Sequence, residues 1–220
     1  MQPYKAVLFD LDGTLLNTLD DLTDSVNTIL QQHGFPLRDA PEIRSFLGNG
    51  ADALLHASLP EDTDEETFAL CLVEYKAYYQ QHMEDKTRPY EGIWELLDSL
   101  RAAGIKTAVA SNKFYTAVQG LCEKYFSGKV NVAVGECQTE TLHIRRKPSP
   151  DMLFMAAEQL GVPLTDCVYI GDSEVDVETA QNAGIDCICV SWGFRDTDVL
   201  LRAGAKAIVD SPQELMEKLL

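Results

Sequence analysis

The chain has few basic residues and no long apolar run. It contains 18 lysines and arginines against 35 aspartates and glutamates, which gives a formal net charge of −17 at pH 7. A field of this sign repels nucleic acids and anionic membranes, so we expect neither as a partner. No apolar run approaches the roughly 18 residues of a membrane-spanning helix, and the first residues do not show the pattern of a secretory signal.

The chain also lacks any Cys-X-X-Cys pair, a spacing typical of zinc and redox sites. Its six cysteines are spread along the sequence, two of them inside apolar, strand-like runs: Cys71, Cys122, Cys137, Cys167, Cys187 and Cys189. This pattern is typical of reduced cysteines in a protein core. It predicts a reducing, cytoplasmic location.

Short apolar runs of strand type alternate with helix-length segments. The runs are Ala6–Phe9, Lys106–Ala110, Val130–Val134, Cys167–Ile170, Cys187–Val190 and Ala207–Val209. This alternation predicts an α/β fold with a Rossmann-like parallel sheet. One of the helices is expected to begin with Ser149 as the N-cap and Pro150 as the first helical residue.

The interval between the first two strands is far longer than a βαβ unit needs. The first strand ends near Asp10 and the second begins near Ile105, whereas a βαβ unit takes about 30 residues. Two apolar stripes at helical spacing lie within the interval. Their members are Leu19, Leu22, Val26, Ile29 and Leu30 in the first, and Phe68, Leu72, Tyr75 and Tyr79 in the second.

These stripes predict a helical insert over the sheet. A capping box of Thr63 and Glu66 is expected to begin the helix of the second stripe. We therefore divide the chain into an inserted helical cap domain, residues 17–83, and an α/β core domain made of residues 1–16 and 84–220.

The first predicted strand delivers two carboxylates to its carboxyl end, in the sequence Asp10-Leu11-Asp12-Gly13-Thr14. In an open parallel sheet, ligands bind at this end of the strands. Residues two apart point to the same side in extended geometry, so one carboxylate can attack a ligand while the other transfers a proton. Gly13 permits a tight turn and a close approach of the ligand to the backbone. A solvated turn is the alternative, since Asp and Gly are common turn residues.

Three further polar motifs follow later strands or precede helices. They are Ser111-Asn112, Lys147-Pro148 and Gly171-Asp172-Ser173-Glu174-Val175-Asp176. Their order along the chain brings all of them to the same edge of a parallel sheet. There, a hydroxyl and a backbone N–H are suited to hold a phosphoryl oxygen, and a lysine is suited to neutralise its charge.

With FDLDGTL, SN, KP and GDSEVD as four ordered motifs, the chain resembles the haloacid dehalogenase-like phosphatases with a helical cap. The resemblance extends over essentially the whole length. It implies that Asp10 is a nucleophile that forms an aspartyl-phosphate, and that Asp12 is the general acid and base. It also implies that Ser111 and Lys147 hold the transferring phosphoryl group.

The same resemblance implies Mg²⁺ as the cofactor. Its ligands would be Asp10, the backbone carbonyl of Asp12, and Asp172, with Asp176 in or next to the metal shell. The physical reason is that a carboxylate and a phosphate monoester repel each other, so attack requires a cation between them. An all-oxygen ligand set selects a hard cation.

The predicted cap contains a glycine-rich loop, Ser45-Phe46-Leu47-Gly48-Asn49-Gly50-Ala51-Asp52. This loop and the later segment 190–195 resemble those of bacterial phosphoglycolate phosphatases. Glycines before a helix expose backbone N–H groups, which suit the carboxylate of a small phospho-acid. A glycine hinge or helix C-cap is the alternative. The candidate substrate-binding residues are Gly48, Asn49, Gly50 and Arg44 in the cap, with Thr14 and Asn112 in the core.

One stretch departs from the family pattern. The segment from Gly135 to His143, before the lysine motif, is longer and more polar than the resemblance leads us to expect. The placement of the loop that carries Lys147 and the substrate preference both depend on this departure.

The leading expectation is a Mg²⁺-dependent hydrolase of a small phosphorylated metabolite such as 2-phosphoglycolate, acting as a monomer or homodimer. The first alternative is the same chemistry on pyrophosphate, a nucleotide or a sugar phosphate, or a phosphoryl transfer like that of β-phosphoglucomutases. Thr14 after the DxDG sequence favours hydrolysis over transfer. The second alternative is a non-catalytic binder of phosphorylated ligands, against which the presence of Asp10, Asp12, Lys147 and Asp172 argues.

Overall fold

The computed structural model describes residues 4–138 and 143–220. Six parallel strands form most of one sheet: β1 (Ala6–Phe9), β4 (Lys106–Phe114), β5 (Val132–Gln138), β7 (Cys167–Gly171), β8 (Asp186–Val190) and β9 (Ile208–Val209). A seventh, β6 (His143–Ile144), pairs antiparallel with β5 at one edge. The order is β6-β5-β4-β1-β7-β8-β9. The predicted α/β fold is confirmed, and all six predicted strands are present.

Two further strands form a separate two-stranded ribbon. They are β2 (Leu16–Asn17) and β3 (Arg88–Pro89), which pair antiparallel. Four helices lie between them in the chain: α1 (Leu19–Gln32), α2 (Ala40–Phe46), α3 (Gly50–Ser58) and α4 (Glu65–His82). The ribbon therefore brings together the two points at which the chain leaves and rejoins the sheet.

The remaining helices cover the two faces of the sheet: α5 (Ile93–Ala102), α6 (Tyr115–Phe126), α7 (Asp151–Leu160), α8 (Glu174–Ala183), α9 (Thr197–Arg202) and α10 (Pro212–Leu219). Successive residues of β1 serve opposite faces, because side chains alternate along a strand. Val7 and Phe9 belong to the larger apolar cluster, which continues into α1, α3 and α4. Ala6 and Leu8 belong to a second cluster that includes α7.

Two predicted helix starts are wrong. The N-cap of α4 is Asp64, whose side chain accepts a hydrogen bond from the Thr67 N–H at 2.9 Å. Thr63 does not cap this helix, because its hydroxyl donates to the carbonyl of Pro60 at 2.7 Å. At α7, the helix begins at Asp151 after Pro150, and the Ser149 hydroxyl donates to the Asp151 carboxylate.

The buried side of α4 is also narrower than predicted. Cys71, Tyr75 and Tyr79 are buried, whereas Phe68 and Leu72 are half-buried. All six cysteines are free, as expected for reduced residues. Within the described ranges, no helix combines the length and apolar character needed to cross a membrane.

Candidate active site

Three carboxylates meet at the carboxyl edge of the sheet. Asp10 follows β1 directly, and Asp172 follows the neighbouring strand β7, which pairs with β1 in parallel. Asp176 lies in the first turn of α8. Each of the three offers a carboxylate oxygen within 4.8 Å of the others, and all three residues are buried. The edge at which the motifs were predicted to converge is therefore an acidic cluster.

Lys147 is the cation of this cluster. Its Nζ lies 3.0 Å from Oδ1 of Asp10, 2.7 Å from Oδ1 of Asp176 and 3.0 Å from the hydroxyl of Tyr169, and its side chain is 2% exposed. Burial lowers the pKa of Lys147, but the facing carboxylates of Asp10 and Asp176 outweigh burial and raise it above the ordinary value. The lysine is therefore a fixed positive charge beside Asp10.

The negative charges of the cluster exceed the positive one. Burial raises the pKa of Asp10 to about 7, with Lys147 opposing the shift and the neighbouring carboxylates adding to it. Burial, followed by the charges of Asp176 and Asp10, raises the pKa of Asp172 well above its usual range. An oxygen donor set with uncompensated negative charge suits a hard divalent cation. The residues of the cluster therefore fit a metal such as Mg²⁺.

Glycines make room for Asp172. The Thr14 hydroxyl donates to its Oδ1 at 3.0 Å, and the backbone N–H of Phe194 donates to its Oδ2 at 2.7 Å. A Cβ on Gly13 or Gly193 would lie 2.2 Å from atoms of the Asp172 side chain. Gly13 also has a φ of +83°, a conformation that favours glycine. The turn after β1 thus requires glycine for two reasons.

Asp176 is engaged on both carboxylate oxygens. Its Oδ2 accepts hydrogen bonds from the backbone N–H of Asp172 at 3.2 Å and from the N–H and hydroxyl of Ser173 at 3.0 and 2.6 Å. Its Oδ1 faces Lys147 and the Tyr169 hydroxyl. Ser173 and Asp176 form a capping box that begins α8. Asp176 therefore fixes the positions of the lysine and the Asp172 backbone.

Asp12 also lines the cavity, and its side chain is 19% exposed. The Thr18 hydroxyl donates to its Oδ1 at 2.7 Å, and Lys113 Nζ lies 2.9 Å from its Oδ2. Lys113 was missed by the sequence analysis, although the available signal was its position in β4, two residues after Ser111. A second buried lysine therefore faces the second carboxylate.

Asn112 uses its side chain to join three segments. Its Oδ1 accepts from the backbone N–H of Lys147 at 2.7 Å, and its Nδ2 donates to the carbonyls of Gly48 at 3.0 Å and Lys147 at 3.1 Å. Ser111 is 2% exposed, and its hydroxyl accepts from the N–H of Lys113 at 3.3 Å. Asn112 thus holds Lys147 and the glycine loop against β4.

A cavity of about 60 Å³ lies between the acidic cluster and the helices α1, α3 and α4. The polar residues around it include Asp10, Asp12, Ser111, Lys113 and Lys147, and Asp172 and Asn112 also contribute to the lining. Its apolar side includes Leu22, Leu47, Ala51, Leu54, Tyr75 and Tyr79. The two kinds of wall give the cavity a charged floor and an apolar roof.

Of the four substrate-binding residues predicted in the cap, two line the cavity and two do not. Gly48 and Gly50 line the cavity, and Gly50 has a φ of +84° and little room for a Cβ, which would lie 3.0 Å from the carbonyl of Asn112. Asn49 and Arg44 are not brought to the cavity. The Asn49 carbonyl accepts from Arg146, and Arg44 reaches out to Asp196 at 3.2 Å.

Two arginines hold the glycine loop. Arg195, which follows β8, donates to the carbonyls of Arg44 at 3.0 Å and of Leu47, and its Nε lies 2.9 Å from Glu174. Arg146 pairs with Asp52 of α3 and, at 2.7 Å, with Glu136 of β5. Of the departing segment from Gly135 to His143, residues 139–142 lie outside the described residues.

The sequence profile of the haloacid dehalogenase-like hydrolases matches residues 7–190. The chain belongs to this family. A relative that covers nearly the same length is the N-acetylmuramic acid 6-phosphate phosphatase of Pseudomonas aeruginosa, which is 33% identical over 98% of this chain and 94% of its own.

Another relative of this hydrolase is the phosphoglycolate phosphatase of Xanthomonas campestris pv. campestris, at 32% identity over 97% of this chain and 95% of its own. A crystal structure from Lactobacillus delbrueckii subsp. bulgaricus superposes with a TM-score of 0.91 at 38% identity, covering 100% of this chain and 99% of the other. The family and these relatives identify the chain as a phosphatase of the haloacid dehalogenase-like hydrolases.

Proposed function

We propose that the chain is a Mg²⁺-dependent phosphomonoesterase that acts through an aspartyl-phosphate on Asp10, with a small phospho-acid such as 2-phosphoglycolate as its substrate. The observation that carries the proposal is the position of Asp10 at the floor of the cavity, between Lys147 and Asp172. A carboxylate in that position can attack a phosphoryl group whose negative charge the lysine compensates.

In the first step, an oxygen of the Asp10 carboxylate forms a bond to phosphorus. The bond from phosphorus to the ester oxygen breaks, and the electron pair stays with the leaving oxygen, which takes a proton from Asp12. Lys147 and the Ser111 hydroxyl hold the oxygens of the transferring group. Lys147 is suited to this role because it is fixed by Asp176 and Tyr169.

In the second step, water attacks the phosphorus of the aspartyl-phosphate. Asp12 accepts the proton of the water, and the bond between phosphorus and Asp10 breaks, which releases phosphate and restores the carboxylate. Asp12 thus acts first as the acid and then as the base. Its position beside Asp10 in the cavity lining supports both roles.

We assign the metal ligands to Asp10, the backbone carbonyl of Asp12, and Asp172. Asp176 is better placed outside the ligand set, because its two oxygens already face five donor groups, on Lys147, Tyr169, Ser173 and the backbone of Asp172. Each oxygen of Asp172, by contrast, accepts one hydrogen bond. When bound, Mg²⁺ would lower the repulsion between the attacking carboxylate and the phosphate ester.

The cavity supports a small substrate, because about 60 Å³ of space lies over the acidic cluster, between a charged floor and an apolar roof. One of the two curated relatives is named for phosphoglycolate and the other for N-acetylmuramic acid 6-phosphate. We therefore favour the smaller ester, and N-acetylmuramic acid 6-phosphate is the second candidate.

We further propose that residues 17–83 form a cap domain that opens for substrate entry and closes to exclude bulk water. The paired strands β2 and β3 at its two connections support this division, as do its contacts to the core through Arg195 and Arg146. The net charge of −17 and the six free cysteines support a cytoplasmic enzyme without nucleic-acid or membrane partners. We propose that it acts as a monomer or homodimer.

The substrate is tested by phosphate release from a panel at equal concentrations. The panel contains 2-phosphoglycolate, N-acetylmuramic acid 6-phosphate, pyrophosphate, sugar phosphates and nucleotides, each with Mg²⁺ and with chelator. We expect the highest kcat/KM for 2-phosphoglycolate and loss of activity in chelator. Equal, weak rates on all esters would contradict 2-phosphoglycolate as the substrate. Undiminished rates in chelator would contradict the dependence on Mg²⁺.

The nucleophile is tested by Asp10→Asn. We expect kcat to fall by at least about 10⁴-fold, because the amide does not attack phosphorus while the fold is retained. Asp20→Asn, an exposed change in the first turn of α1, is the control and is expected to keep wild-type kcat. Circular dichroism verifies the fold of both variants. Turnover near wild type in Asp10→Asn would contradict the assignment.

A further inference from the structure

Lys113 is a buried lysine at the cavity wall. Its side chain is 5% exposed, and its Nζ lies 2.9 Å from Oδ2 of Asp12. The same Nζ is 4.6 Å from the centroid of the Tyr79 ring, within the range of a cation–π contact. The two contacts hold the charge between the core carboxylate and the aromatic roof.

The ammonium group of Lys113 has donors to spare. An ammonium carries three N–H donors. Within residues 4–138 and 143–220, the one carboxylate within 4.0 Å of Lys113 Nζ is that of Asp12. A buried ammonium with unfilled donors beside a cavity is a binding site for an anion.

The distance to the phosphoryl site suits a short molecule. Ser111 and Lys113 both line the cavity, and because they are two residues apart in β4, their Cα atoms are no more than about 7 Å apart. The backbone N–H of Lys113 also donates to the Ser111 hydroxyl at 3.3 Å. A ligand with its phosphoryl group at Ser111 therefore reaches Lys113 with only a few further atoms.

We propose that Lys113 binds a second anionic group of the substrate, the carboxylate of a short phospho-acid, and so selects against uncharged phosphate esters. On binding, the carboxylate takes the spare N–H donors of Lys113. The apolar roof of Leu22, Leu54 and Tyr75 keeps water from these donors, so an ester without the carboxylate leaves them unpaired. This inference rests on the proposed phosphomonoesterase function and names the group that would set its substrate class.

The test compares 2-phosphoglycolate with ethyl phosphate, which has no carboxylate. We expect wild type to favour 2-phosphoglycolate by about 100-fold or more in kcat/KM, and Lys113→Met to reduce this ratio below about 10-fold. Lys113→Arg, which keeps the charge, is expected to retain part of the preference. The matched control is Lys129→Met, because Lys129 pairs with a single carboxylate, Asp98, and does not line the cavity.

The outcomes separate this inference from the proposed function. A wild-type ratio near one, or an unchanged ratio in Lys113→Met with hydrolysis intact, would overturn the role of Lys113 and leave the hydrolase standing. An equal fall on both esters would also overturn it, since Lys113 would then act only through Asp12.

Failure of wild type to hydrolyse either ester would count against the proposed function. In that case, the role of Lys113 is tested by the binding of the two esters. Calorimetry on Asp10→Asn in Mg²⁺ is expected to give tighter binding of 2-phosphoglycolate than of ethyl phosphate, and the double variant Asp10→Asn with Lys113→Met is expected to lose that difference. A difference that persists in the double variant overturns the inference.

Discussion

At the scale of single residues, Asp21 fastens the helix that leaves the sheet to the segment that returns to it. It is 2% exposed and accepts hydrogen bonds from the backbone N–H groups of Lys86 and Thr87, at 2.9 and 2.8 Å. Asp21→Ala leaves these donors without partners, so we expect the free energy of unfolding to fall by about 3 kcal/mol. Urea denaturation measures the change.

Asp20→Ala, on the exposed side of α1, is the control. Its free energy of unfolding is expected to stay within about 0.5 kcal/mol of wild type. Equal losses in the two variants would refute the role of Asp21.

Single residues also mark what a sequence can reveal about the site. Asp10 and Asp172 were predicted because they directly follow apolar strands, and strand ends of a parallel sheet meet at one edge. Lys113 was not predicted, since a lysine after a strand is usually solvated. Its burial depends on Tyr79, which α4 brings over it from a distant part of the chain. Arg44 was predicted to bind the substrate, but its guanidinium donates a hydrogen bond to Asp196. This partner is distant in sequence, so only the folded structure shows it.

At the scale of elements, Arg195 connects the segment after β8 to the C-terminal end of α2. It donates to the carbonyl of Arg44, in the last turn of α2, and to the carbonyl of Leu47, the C-cap of this helix. Its Nε is paired with Glu174. We expect Arg195→Met to release this end of the cap, so that KM rises by about tenfold and the amides of α2 and α3 exchange hydrogen faster. Arg101→Met is the control, because Arg101 is an exposed arginine on α5 away from the cavity. If the hydrogen exchange of the amides in α2 and α3 is unchanged in Arg195→Met, Arg195 does not hold this end of the cap in place.

The element boundaries show where local patterns fail. Thr63 with Glu66 and Ser149 with Pro150 are both acceptable helix starts by sequence. In the folded chain, each hydroxyl instead makes a turn contact, with Pro60 and Asp151 respectively. Ser, Thr and Asp compete for the same orphan N–H groups, so the choice among neighbours depends on the path of the preceding loop. The strands within apolar runs were predictable, whereas the two-residue strands β2 and β3 lie in no apolar run and carry no pattern of their own.

At the scale of the whole molecule, the alternation of strands and helices was sufficient to predict a parallel sheet. It was insufficient for the strand order, in which β1 lies between β4 and β7. That central place brings Asp10 between the ends of the neighbouring strands, in a sheet whose two faces are both covered by helices. The same packing buries the carboxylates of Asp10, Asp172 and Asp176 beside Lys147. The negative charges of this cluster outnumber the positive charge.

The buried cluster is expected to make stability depend on Mg²⁺. Asp10 and Asp172 repel each other and Asp176 across less than 4.8 Å, and a cation bound only by the folded chain relieves this repulsion. At 100 times its dissociation constant, Mg²⁺ would stabilise the fold by about 2.7 kcal/mol, which raises the melting temperature by about 5 to 10 °C. Scanning calorimetry in Mg²⁺ and in chelator, at matched ionic strength, measures the shift independently of activity.

Asp172→Asn supplies the internal control for that measurement. The amide oxygen can still accept the N–H of Phe194, and the amide nitrogen can face the Thr14 hydroxyl, so the local hydrogen bonds are retained. Because one repelling charge is gone, we expect the metal-free variant to melt at or above the metal-free wild type. Because one ligand is gone, we expect its Mg²⁺ shift to be lost. A variant that melts lower in chelator and still responds fully to Mg²⁺ would show that the cluster neither strains the fold nor binds the ion.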